Sequence, residues 1–165
     1  MFGSSRNDYI AGSDAKDFIL GFDGDDWLYG RGNHDELIGG SGFDTLIGGS
    51  GNDTLVGVHP NIPNDVSSSG FEIDILNGGT GADLFVLGNT VDIFYRGYAR
   101  YAVIEDFRRS EGDKIVLKGK PSQYHLSSAG SDITRIRTGG PNGDLIAEVR
   151  LPQLLSFPLD FTFVP

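Results

Sequence analysis

In the first half of the chain, apolar side chains recur every nine residues: Ile10, Ile19, Leu28, Leu37, Leu46 and Leu55. Each sits in a short stretch that reads as a strand with its aliphatic residue turned inward, so one side chain per repeat makes the core. The polar positions keep the same phase. An aspartate stands two residues before each aliphatic residue, at Asp8, Asp17, Asp26, Asp35, Asp44 and Asp53, and a glycine two residues after it, at Gly12, Gly21, Gly30, Gly39, Gly48 and Gly57. The phase slips by twelve residues across Val58 to Ser69, a stretch rich in Pro, Asn and Ser, and resumes at Asp74 with Leu76 and Gly78, then Asp83 with Phe85. That segment reads as a loop extruded from a repeat array.

From about residue 84 the nine-residue phase gives way to short alternating or apolar runs: Leu84 to Leu87, Tyr101 to Phe107, Lys114 to Lys118, Ile133 to Thr138, Asp144 to Leu151 and Phe161 to Val164. Separated by Gly, Ser and Pro turns, these predict antiparallel strands. A stack of repeats ends in open strand edges and an exposed core, which such arrays cover with a cap. The expected organisation is therefore all-β, with a roll over residues 1–89, its loop insertion at 58–69, and an antiparallel β cap over residues 90–165.

If two repeats make one coil, turns two repeats apart stack at strand spacing, roughly 4.8 Å. Asp8, Asp26, Asp44 and Asp74 then line one edge, and Asp17, Asp35, Asp53 and Asp83 the other. At about 5 Å and an effective dielectric near 20, neighbouring carboxylates repel by about 3 kcal/mol. One buried aliphatic residue per repeat returns only about 1.5–3 kcal/mol. The ladder therefore calls for a cation. With no cysteine in the chain its ligands must be oxygens, and calcium, which accepts six to eight oxygens in flexible geometry, suits such a site better than magnesium. Three gaps on each edge allow at most about six interior sites. An EF-hand loop is excluded, because Asp23, Asp25 and Asp26 lack the glycine and the closing glutamate at the required offsets.

The clearest repeats read Gly39-Gly40-Ser41-Gly42-Phe43-Asp44-Thr45-Leu46-Ile47 and Gly48-Gly49-Ser50-Gly51-Asn52-Asp53-Thr54-Leu55-Val56, with Gly78-Gly79-Thr80-Gly81-Ala82-Asp83 opening the last. They match GGxGxDxUx, and the chain resembles the RTX, or haemolysin-type, calcium-binding family. The resemblance implies a right-handed parallel β-roll that binds several Ca2+ ions. It also implies carbonyl ligands at the first, second and fourth repeat positions, here drawn from Gly21, Gly24, Gly30, Asn33, Gly39, Gly40, Gly42, Gly48, Gly49, Gly51, Gly78, Gly79 and Gly81. Arg6, Ala15 and Glu72 replace the fourth-position glycine before Asp8, Asp17 and Asp74, which weakens those repeats; Asn33 tolerates a left-handed backbone and keeps its site. The strongest metal pairs are Asp26 with Asp44, Asp35 with Asp53, and Asp53 with Asp83. The segments Tyr101–Phe107 and Glu111–Leu117 resemble the region following the repeats in secreted RTX proteins, which adds Asp106 and Asp113 as candidate calcium ligands. Asp160-Phe161-Thr162-Phe163-Val164 resembles the end of type I secretion substrates, implying a secreted, extracellular protein with the type I secretion apparatus as a partner.

Charge narrows the remaining choices. Of the formal −10, residues 1–89 carry −11 and residues 90–165 carry +1, a balance that disfavours nucleic acid and anionic lipid partners. No run approaches the roughly 20 apolar residues of a membrane span, and Met1 to Gly12 has neither the basic nor the apolar region of a signal peptide. His34, His59 and His125 have no periodic relation, and no nucleophile elbow, zincin helix or phosphate loop is present. The expectation is a calcium-dependent folding module that is not itself an enzyme. The alternative is an accessory module that binds extracellular polysaccharide through the aromatic stretch Phe94 to Tyr101, in which Tyr95 and Tyr98 would stack on sugar rings.

Overall fold

The computed structural model describes residues 1–58, 72–88, 93–95, 100–150, 155–157 and 159–165. Its strands form two sheets. The first carries, in spatial order, β1 (Tyr9–Ala11), β3 (Trp27–Gly32), β5 (Thr45–Ser50), β7 (Glu72–Thr80), β9 (Arg100–Ile104), β13 (Leu145–Arg150), β12 (Ile133–Thr138) and β11 (Tyr124–Ser128). The second carries β14 (Phe161–Val164), β10 (Lys114–Lys118), β8 (Leu84–Val86), β6 (Thr54–Val58), β4 (Glu36–Ser41) and β2 (Phe18–Asp23). Successive repeats thus alternate between the sheets, and each coil of two repeats adds one parallel strand to each.

Register follows from the nine-residue phase. Ile10 pairs with Leu28 and Leu28 with Leu46 in one sheet, Ile19 with Leu37 and Leu37 with Leu55 in the other. Across the phase slip the interval lengthens from eighteen residues to thirty: Leu46 pairs with Leu76 and Leu55 with Phe85. The twelve additional residues leave the stack in register, as an extruded loop requires; residues 59–69 of that loop lie outside the described residues. Ile19, Leu28, Leu37, Leu46, Leu55, Leu76 and Phe85 are wholly buried between the sheets, at about 1.5–3 kcal/mol each relative to exposure.

The C-terminal region departs from the pattern expected of it. Only β11, β12 and β13 run antiparallel to one another among the described residues. The runs expected as antiparallel strands at 84–87, 101–107, 114–118 and 161–164 pair in parallel instead. β8 lies on β6 and β10, β9 on β7 and β13, and β14 on β10. The reason lies in the column of inward residues. Ile104 pairs with Leu76 and Ile115 with Phe85, so the inner column continues past the last glycine-rich turn. Alternating apolar residues specify which face is buried but not the direction of the neighbouring strand. No helix of the described residues is long and apolar enough to cross a membrane.

Candidate metal centre

The turns between strands owe their shape to two left-handed residues per repeat. The second repeat position has positive φ at Phe22, Arg31, Gly40, Gly49 and Gly79, and the fourth at Gly24, Asn33, Gly42, Gly51 and Gly81. Asn33, at φ 76°, adopts the conformation that its short polar side chain tolerates. Arg6, Ala15 and Glu72 do not adopt it: none has positive φ. A second constraint falls on the first position. A Cβ on Gly48 would meet the carbonyl oxygen of Gly78 at 2.6 Å and the Asp53 carboxylate closer still; Gly21, Gly30 and Gly39 face the carbonyls of Gly39, Gly48 and Gly57 in the same way. Gly21, Gly30, Gly39 and Gly48 thus each leave a cradle between one aspartate and a carbonyl of the next coil, and Gly78 leaves one against Asp83.

The aspartates form two ladders whose rungs are hydrogen-bonded, which the charge argument alone does not anticipate. On one edge the amide of Asp8 donates to Asp26 Oδ1 at 2.8 Å, that of Asp26 to Asp44 Oδ1 at 2.9 Å, and that of Asp44 to Asp74 Oδ1 at 3.0 Å. On the other, Asp17 donates to Asp35, Asp35 to Asp53 and Asp53 to Asp83, each at 2.8 Å. The second ladder runs one rung further, from the amide of Asp83 to Asp113 Oδ1 at 3.0 Å. One oxygen of each interior carboxylate is therefore oriented by backbone.

The other oxygen divides the ladder into classes. Oδ2 of Asp26, Asp35, Asp44, Asp53 and Asp83 is buried without a hydrogen-bond partner. Such an orphan costs roughly 1–3 kcal/mol, and more if the group is charged. Burial, outweighing the bond from the preceding aspartate's amide, raises the pKa of Asp26, Asp35 and Asp53 above the ordinary range. Burial also carries Asp83 to about 7 and, with the nearby Asp74, Asp44 to about 9. Five unpartnered oxygens of one kind, each in a glycine cradle, fit a cation. Among the described residues no three acidic or histidine side chains converge, so an ion here must draw most of its ligands from carbonyls. Calcium, with its tolerance of mixed oxygen donors, accepts that set.

At the ends of the ladders Oδ2 is satisfied from within the protein. Asp8 Oδ2 accepts from the amide and hydroxyl of Ser4 at 2.7 and 2.8 Å, and Asp17 Oδ2 from those of Ser13 at 2.7 and 2.9 Å. The Ser13 amide, then its hydroxyl, lowers the Asp17 pKa, opposite to the interior aspartates. Asp74 Oδ2 accepts from Tyr95 Oη at 2.6 Å. Asp113 Oδ2 accepts from the Arg108 amide at 2.6 Å. Both oxygens of Asp106 are taken by the amides of Gly78 and Gly79, at 2.9 and 2.7 Å. Arg108 donates to the Gly79 carbonyl and Glu111 accepts from the Gly81 amide. Side chains thus replace the missing next turn. Ser4, Ser13, Tyr95, Arg108 and Glu111 escape a reading based on the repeat; serines four residues before Asp8 and Asp17, in the repeats that lack the fourth-position glycine, were the available signal.

The model of the RTX calcium-binding nonapeptide repeat (4 copies) matches residues 2–37, 29–57 and 64–97, more than half of the chain. The chain belongs to this family. RTX repeats bind several Ca2+ ions per domain and are typical of secreted proteins. No curated protein matches the chain in sequence. Among solved structures, the RTX chain is similar to a subunit of the Azotobacter vinelandii mannuronan C5-epimerase, at 24% identity over 91% of this chain and 72% of that one, TM-score 0.33. It is also similar to the extracellular lipase LipA of Serratia marcescens, at 16% identity over 99% of this chain and 40% of the lipase, TM-score 0.34.

Of the stretch Phe94 to Tyr101 in this RTX chain, residues 96–99 lie outside the described residues. Phe94 and Tyr95 are each 3% exposed and belong to the core; Tyr98 lies outside the described residues, as does His59. His34 Nδ1 accepts from the Asn52 amide at 2.7 Å. It belongs to an outer ladder in which Asn7, Asp25 and Asn52 accept from the amides of Asp25, Phe43 and Ala82. At the C-terminus Asp160 is wholly buried and paired with the Arg109 guanidinium at 2.5 and 2.6 Å. Phe161 follows it, buried on β10.

Proposed function

We propose that this chain is a calcium-triggered folding module of a secreted protein, without catalysis of its own, and that its ions bind beside Asp26, Asp35, Asp44, Asp53 and Asp83. The observation that carries this reading is the row of five buried, unpartnered Oδ2 atoms, each facing a glycine cradle. An ion there would take Oδ2 together with turn carbonyls from Gly39, Gly48, Gly78 and their neighbours. It would supply the positive charge that makes ionised aspartates tolerable between the sheets. Asp113, hydrogen-bonded to the Asp83 amide, closes that edge.

In a low-calcium cytoplasm the uncompensated ladder keeps the roll open and exportable; outside the cell, calcium closes it, because binding free energy becomes folding free energy. The C-terminal residues 160–164 are available to the type I secretion apparatus in the open chain, and 161–164 of them become β14 in the closed one. The test is a calcium titration of metal-stripped protein followed by far-UV circular dichroism, with magnesium as control. A cooperative gain of β signal with calcium alone supports the switch. A spectrum already complete without metal at neutral pH overturns it.

A further inference from the structure

The two edges of the roll differ at the Asp74 rung. Asp74 is as deeply buried as its neighbours, at 0% exposure, and its Oδ1 accepts from the Asp44 amide as the ladder requires. Its Oδ2, unlike those of Asp26, Asp35, Asp44, Asp53 and Asp83, has a partner, the Tyr95 hydroxyl at 2.6 Å. The cradle glycine of this rung is Gly57. A Cβ there would collide with Tyr95 Oη and with Asp74 Oδ2, whereas at Gly21, Gly30, Gly39 and Gly48 the neighbours are the aspartate and a carbonyl of the next coil. The hydroxyl stands inside the cradle.

The carbonyl is accounted for independently. Carried two residues beyond the Leu55–Phe85 pair, the register points to Leu87 O as the counterpart of the Gly39, Gly48, Gly57 and Gly78 carbonyls at the other rungs. That oxygen accepts instead from the Phe94 amide at 3.0 Å. Consecutive residues 94 and 95 therefore use the two oxygens that an ion at this rung would need. Tyr95 is held for this task in a left-handed backbone conformation, φ 56°, which a non-glycine residue adopts only where its surroundings impose it. Glu72 adds a second buried carboxylate beside this rung, faced by Arg100 at 3.8 Å.

We propose that Tyr95 is a built-in occupant of the Asp74 rung, its hydroxyl standing where calcium stands at the rungs of Asp26, Asp35, Asp44, Asp53 and Asp83, so that this rung is closed without metal and takes no ion. This rests on the calcium ladder proposed above. The experiment counts calcium per chain by equilibrium dialysis and elemental analysis for the native chain, Asp53→Asn, Tyr95→Ala and Tyr95→Phe. Circular dichroism checks folding in saturating calcium. Asp53→Asn is expected to lose calcium and the Tyr95 variants to gain one ion each relative to the native chain. If Tyr95→Ala does not fold, Tyr95→Phe carries the test, since it removes only the donor. Tyr95 variants that fold with the native count overturn the tyrosine assignment alone. A native chain that binds no calcium, or an Asp53→Asn count equal to native, overturns the ladder beneath it.

Discussion

Freed of metal, the protein should become more stable as the pH falls, the reverse of a protein whose carboxylates are ion-paired. Burial first, with smaller contributions from neighbouring carboxylates, raises Asp83 from 3.8 to about 7; burial likewise raises Asp74 to about 7 and Asp44 to about 9. In the unfolded chain the same groups titrate near their ordinary value. Between the two values the folded state holds more protons, so stability is complete below about pH 4 and is lost as the pH rises through about 7. At about 1.4 kcal/mol per unit, the shift at Asp83 alone amounts to roughly 4 kcal/mol, and Asp74 and Asp44 act in the same direction. Even the Asp83 share is a large part of the roughly 5–15 kcal/mol that holds a whole domain. The assay is urea unfolding in a chelator across about pH 4 to 8, repeated in calcium, at an ionic strength that screens surface charge. The midpoint in chelator should fall steeply with pH, while calcium should restore it at neutral pH and act weakly in acid, where protons compete for the same oxygens. Metal-free stability that stays flat or rises over that range would refute the claim that these carboxylates are folded at the expense of their charge.

Leu46, wholly buried between two coils, should cost about 2–5 kcal/mol on replacement by Ala, lowering Tm in saturating calcium by roughly 5–15 °C on a thermal melt. Gly48→Ala places a methyl group against the Gly78 carbonyl and the Asp53 carboxylate. Titration calorimetry should show loss of the Asp53 ion, with about 1–3 kcal/mol of destabilisation from overpacking. Arg109→Gln leaves Asp160 buried without its cation; a cost of about 3–5 kcal/mol should appear as a lower urea midpoint, while the calcium count stays native.

Much of the roll was legible because its period is redundant. Asp, Gly and an aliphatic residue in fixed phase specify the coil, the inward residue and the edge at once, and the Leu46–Leu76 pairing shows why a twelve-residue insertion does not blur them. The direction of β9, β10 and β14 was not legible, since the short apolar runs around Ile104 and Ile115 would read the same in an antiparallel strand. The division of the aspartates into orphaned and satisfied groups was only half visible. Arg6 and Ala15 flagged the weak repeats, but the Ser4 and Ser13 amides that complete Asp8 and Asp17 depend on a turn geometry that letters do not encode. Tyr95 lies twenty-one residues from Asp74, and its letters read as an aromatic packed in the cap or stacked on a sugar, with nothing to tie it to that carboxylate.

Under the proposed calcium ladder, satisfied rungs at the ends and orphaned rungs between them decide how calcium would act on the whole. In repeat arrays stability is a sum of repeat and nearest-neighbour terms, and here the neighbour term is explicit: the amide of Asp35 orients Asp53, whose own amide orients Asp83, whose amide orients Asp113. An ion that fixes the Asp53 carboxylate also fixes the backbone that presents the next oxygen, so occupation of one rung lowers the ordering cost of the following one. Ser4, Ser13, Tyr95 and the Asp106, Arg108, Glu111 group bound the orphaned stretch with turns already hydrogen-bonded. The proposed metal-dependent part of the roll is thereby confined to the middle, and its filling is expected to be cooperative because every carboxylate there is held by the rung before it.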